Sequence, residues 1–79
     1  MLKLSYNSSQ SPEDILNVAE QFFKEKGLET KERENCCLLM EGGGGYVRVN
    51  VADKGKREVT LETSEWEYQT KEFLEQKGK

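Results

Sequence analysis

The chain has 79 residues, with 12 Lys and Arg against 15 Asp and Glu, a formal net charge of −3 and no histidine. That length supports one small domain over residues 1–79, burying about 60% of its unfolded surface. The missing histidine excludes the commonest general acid/base, the Ser/His and Cys/His nucleophile pairs and every imidazole-based zinc site. A mean hydropathy of −0.87, with no apolar run near the ~18–20 residues of a membrane span, excludes a spanning helix.

Residues 2–6 alternate, Leu2, Leu4 and Tyr6 against Lys3 and Ser5, which predicts a half-buried strand. A polar connection, Asn7 to Gln10, leads to a helix. Ser11 is its N-cap, Pro12 suits the first helical position, and Asp14 completes a capping-box variant. Ile15, Val18, Ala19, Phe22 and Phe23 recur at helical spacing, with Leu16 widening the stripe. Gly27 ends this helix, and Leu28 is placed to fold back on Phe23 in a Schellman motif.

Three strands are predicted next, over residues 31–41, 46–52 and 57–63. The run Gly42–Gly45 separates the first two and Lys54–Lys56 the last two, with Gly55 free to take a positive φ. A four-glycine loop sets Glu41 opposite Tyr46, Met40 opposite Val47, Leu38 opposite Val49 and Cys36 opposite Val51. A three-residue loop at 54–56 sets Asp53 opposite Arg57, Val51 opposite Val59 and Val49 opposite Leu61. Every inward apolar residue then meets another, whereas a slip of one residue exposes a whole row. On the reverse face Arg48 meets Glu62 and Asn50 meets Thr60. A last helix is expected from Ser64, with Ser64-x-x-Glu67 as a capping box and Trp66, Phe73 and Leu74 as its apolar stripe.

The expected fold is therefore α+β, a two-layer sandwich of order β-α-β-β-β-α. Its sheet is four-stranded and mainly antiparallel, with both helices on one face. The other face, with Lys3, Ser5, Cys37, Leu39, Tyr46, Arg48, Asn50, Glu58, Thr60 and Glu62, is left open to solvent or a partner.

Little in the chain carries chemistry. The glycine run, Gly43 and Gly44 above all, offers backbone amides to an anion with Arg48 as the nearby cation. It is followed by a strand, however, and preceded by Glu41, so a hairpin loop is the plainer reading. Cys36 and Cys37 lack the spacing and helix terminus of a redox pair and the four ligands of a zinc site. A bond between neighbours closes almost no loop, so both are expected as reduced thiols, Cys36 in the core and Cys37 on the open face. Reduced thiols and a start, Met1 to Ser5, unlike a signal peptide place the chain in the cytoplasm. Glu58 and Glu62 lie ~13 Å apart along one strand, too far for an acid/base dyad. Trp66 is expected to pack over the sheet end.

From residue 12 onward the order α-β-β-β-α resembles the topology of double-stranded RNA-binding domains. The resemblance covers element order alone. It implies a lysine cluster at the start of the second helix, where this chain has Glu65-Trp66-Glu67. The charge is opposite where that family grips phosphate, so nucleic acid is not an expected partner.

The expectation is a non-catalytic binding module acting through the open sheet face or an edge strand, as a homodimer or with another protein. Cys37, Leu39, Tyr46, Arg48 and Asn50 are its interface candidates. The alternative is a small-ligand or anion binder using Gly43, Gly44 and Arg48, and a lesser one is RNA binding. No cofactor, metal or membrane is expected.

Overall fold

A computed structural model describes residues 2–54 and 56–77. The element order is β1 (Leu2–Ser8), α1 (Pro12–Glu25), β2 (Glu29–Arg33), β3 (Cys37–Gly42), β4 (Gly45–Lys54), β5 (Lys56–Ser64) and α2 (Glu67–Lys77). The strands form one sheet in the order β1-β5-β4-β3-β2, and every neighbouring pair is antiparallel. β1 and β2 therefore run the same way at opposite edges. α1 carries the chain between them over one face, and the meander β2 to β5 returns it to the starting edge.

Local signals explain α1 fully. The Ser11 hydroxyl accepts from the Asp14 amide at 3.2 Å, with Pro12 in the first turn. At the other end the Gly27 amide donates to Lys24 O and the Leu28 amide to Phe23 O, at 3.0 and 3.1 Å. These are the two bonds of a Schellman motif, and Gly27 supplies its left-handed residue at φ 106. Ile15, Leu16, Ala19 and Phe23 face the sheet and are buried.

The β3–β4 and β4–β5 registers are those the alternation requires. Met40 pairs with Val47, Leu38 with Val49, Val49 with Leu61 and Val51 with Val59. Val47, Val49 and Val59 are 0% exposed and Val51 7%, so this row lies beneath the helices. Phe73 of α2 and the α1 stripe share that single core. Phe22, Phe23 and Phe73 join the two helices, with ring centroids 5.1 to 5.8 Å apart. Both helices thus lie on one side. The outer-face positions, from Lys3 through Arg48 to Glu62, are exposed or half-buried without exception.

Four expectations are corrected. The sheet has five strands rather than four, because the run 31–41 is a hairpin. Glu34 and Cys37 pair through the Glu34 amide and Cys37 carbonyl at 2.8 Å, and the chain reverses over Asn35 and Cys36. The four-glycine loop is shorter: Gly42 pairs with Gly45, and only Gly43 and Gly44, at φ 58 and 85, make the turn. Two successive left-handed residues match the right-handed twist of the flanking strands. α2 starts at Glu67. Ser64 ends β5 opposite Tyr46 rather than capping the helix, and Glu65, at φ 75, turns the chain out of the sheet. Last, Cys36 and Cys37 are joined as a disulfide and are not thiols, and Cys36 is exposed rather than in the core. The expected positive φ at Gly55 lies outside the described residues.

Candidate functional site

The open face is built from cross-strand rows. One reads Lys3, Glu62, Arg48, Leu39, Glu32 across all five strands. Charges of alternating sign flank a single leucine, an arrangement in which each neighbour supports the next. The adjacent row places Ser5, Thr60, Asn50 and Cys37 side by side. A depression of about 260 Å³ opens between these rows, lined by Glu32, Cys37, Leu38, Leu39, Arg48 and Asn50. Four of the five interface candidates therefore meet. The fifth, Tyr46, lies at the end of the sheet in a larger depression of about 570 Å³ with Gly27, Glu29, Lys31, Glu41 and Gly44.

The anion-site candidates do not share one depression. Gly44 lines the larger one beside two glutamates and one lysine, while Arg48 lines the smaller. Gly43 sits against the Trp66 ring, whose Nε1 donates to Gly42 O at 2.8 Å. A Cβ at Gly45 would run into the Ser64 carbonyl and lie 2.6 Å from Glu65 Cβ. The run is thus accounted for by a tight turn and a close approach to the start of α2, with Trp66 as the anchor.

The disulfide stands at the β2–β3 corner. Its backbone is tied on both sides: Val51 donates to Cys36 O and Glu34 to Cys37 O, each at 2.8 Å. Arg48 of the open face lines the same depression as Cys37, as does Glu32. Among the described residues no group of three or more His, Cys, Asp or Glu is arranged to hold a metal ion. No described helix is long and apolar enough to cross a membrane.

The two sheet edges differ in kind. β2 reads Glu-Thr-Lys-Glu-Arg, carries a bulge between Thr30 and Glu32, and is clamped to α1. Arg33 donates to Glu20 and Asn17 at 2.8 Å, and Thr30 donates to Glu20 at 2.6 Å. Charge and a bulge are the devices that protect an edge from further pairing. β1 has neither. It is seven residues long with Lys3 as its one charge, and Leu2, Leu4 and Tyr6 on its inner side are half-buried. Burial still raises the Tyr6 phenol above its ordinary pKa of 10.0. Sequence reasoning allowed for an edge strand without knowing which. The contrast between the alternation of 2–8 and the charge run 29–33 was the available signal.

No protein-family model matches the chain, and no curated protein matches it significantly.

Proposed function

We propose that the chain is a non-catalytic interaction module that pairs with a second copy of itself through the free edge of β1. The observation that carries this is the asymmetry of the edges: β2 is charged, bulged and clamped, whereas β1 offers seven residues with three partly covered apolar side chains. Antiparallel pairing about a two-fold axis at Ser5 sets Leu4 opposite Tyr6 of the second copy and Lys3 opposite its Asn7. Residues directly opposite share a face, so Leu4 meets Tyr6 on the inner side, Leu2 lies opposite Ser8 of the second copy, and no like charges oppose. The joined sheets would run continuously, and the uncovered flanks of Leu2, Leu4 and Tyr6 would close over one another.

Light-scattering mass during gel filtration tests this. The wild-type chain is expected at twice its 9.1 kDa mass. Residue 5 lies opposite itself, so Ser5→Lys and Ser5→Asp should each give monomers, and mixing the two should restore the dimer. Ser5 is exposed, so circular dichroism should show both variants folded. A wild-type chain that stays at its single mass up to its solubility limit would refute the proposal, as would a dimer indifferent to both substitutions.

A further inference from the structure

We infer that the Cys36–Cys37 disulfide is a thiol–disulfide exchange site, opened and re-formed by a dithiol that reaches it at the β2–β3 corner. It lies across the sheet from β1 and stands whether or not β1 pairs.

Three features support the assignment. The bond does not staple the fold: it joins adjacent residues and so removes almost no chain entropy from the unfolded state. The corner is held instead by the Arg33–Leu38 pairing and the backbone bonds to Val51 and Glu34. Opening it therefore leaves the hairpin in place. The two sulfurs are also unequal, since Cys36 is exposed and Cys37 half-buried. Finally, Cys37 shares a depression with Arg48, Asn50 and Glu32; the guanidinium favours a departing thiolate and the carboxylate opposes it. Access selects Cys36 for attack, which makes Cys37 the leaving sulfur, with Arg48 as the group that assists its departure.

The chemistry balances without another reagent. One thiolate of the dithiol attacks Cys36 Sγ; a new sulfur–sulfur bond forms as the old one breaks, and the electron pair departs on Cys37 Sγ beside Arg48. The second thiol of the reagent, deprotonated, attacks its own sulfur in that mixed disulfide. The reagent closes to a cyclic disulfide and Cys36 leaves as a thiolate. The dithiol has lost two electrons and two protons, and the protein has gained them as two thiols. An oxidised dithiol drives the reverse.

Dithiothreitol serves as the probe, with iodoacetamide quenching and intact mass as the readout on the full chain. No alkylation is expected before reduction and two additions after it, with circular dichroism unchanged and the bond restored by oxidised dithiothreitol. Arg48 is exposed, so Arg48→Met should fold normally and open about three-fold more slowly, as a partly screened charge contact allows. In the single variants, where access governs which sulfur a disulfide reagent reaches, the exposed Cys36 of Cys37→Ser should form a mixed disulfide about ten-fold faster than the half-buried Cys37 of Cys36→Ser. The inference fails if both cysteines stay alkylatable in oxidised dithiothreitol, or if reduction unfolds the chain. Equal reactivity of the two sulfurs together with an unchanged rate in Arg48→Met also overturns it.

Discussion

Gly44→Ala and Gly45→Ala separate two demands that one glycine run meets. At Gly44 the added Cβ has nothing within 4 Å, but the residue sits at φ 85. An L side chain in that region costs about 1–2 kcal/mol, and the stiffer unfolded chain returns about 0.4–1 kcal/mol. The net loss should be about 0.5–1.5 kcal/mol. At Gly45 the φ is ordinary and the space is absent: the Cβ meets the Ser64 carbonyl and Glu65 Cβ. Neither neighbour is the end of a flexible side chain, so the hairpin must draw away from the β5–α2 junction. Overpacking of this kind costs about 1–3 kcal/mol. Loosening the Trp66 Nε1 bond to Gly42 O would add about 1 kcal/mol. Less the same gain from the stiffer unfolded chain, Gly45→Ala should therefore lose about 1–3.5 kcal/mol, a large share of the ~4–10 kcal/mol such a chain possesses. Urea unfolding followed by far-ultraviolet circular dichroism measures both. At about 4–8 °C per kcal/mol the melting temperatures should differ visibly. If Gly45→Ala costs no more than Gly44→Ala, the strand end is not pressed against Ser64 and Glu65, and the account of the glycine run is wrong.

Thr70 is fully buried with no hydrogen-bond partner for its hydroxyl, unlike Thr63, which donates to Tyr46 O at 2.7 Å. Thr70→Val should raise stability by about 1 kcal/mol in the same urea titration; a loss would mean that the hydroxyl is satisfied. The double variant Cys36→Ser, Cys37→Ser should change stability by less than about 1 kcal/mol, because a bond between neighbours closes no loop. A larger loss on urea unfolding would make the disulfide a structural staple. Tyr6 holds its proton more tightly folded than unfolded, since burial raises its pKa above 10.0. Above that pH the unfolded chain binds fewer protons than the folded one, so stability should fall as pH rises through the folded-state pKa. Tyr6→Phe should flatten that part of a stability-against-pH curve, and an unaltered slope would show that other groups cause it.

Much of this architecture was legible before any coordinates. Period-two alternation records which side of a strand is buried, and in 46–52 and 57–63 it was unbroken, so the pairings of Val49 with Leu61 and Arg48 with Glu62 followed from arithmetic. In α1 the cap, stripe and stop agreed independently, and all three formed. The failures share a cause. Residues 31–41 alternate poorly, and Glu34-Asn35 is a weak turn signal that a cysteine pair obscured. Ser64-x-x-Glu67 has the letters of a capping box, but Ser64 is held in the sheet by Tyr46 and Trp66 by Gly42. Those contacts come from eighteen and twenty-four residues away in the chain, beyond any local pattern. The interface candidates fared similarly: their common face was readable from parity, while the depression that gathers four of them needed the third dimension.

What the chain settles by itself is local: element types where the period is clean, hairpin registers, and the side of the sheet that is buried, because each follows from the spacing of apolar residues along the backbone. Tertiary structure decided that β1 closes the meander against β5 and that β2 guards the far edge. It also decided which glycine lies against a neighbouring backbone and that two adjacent cysteines meet. These depend on which distant segments touch, and a side chain's position in sequence carries no record of its neighbours in space.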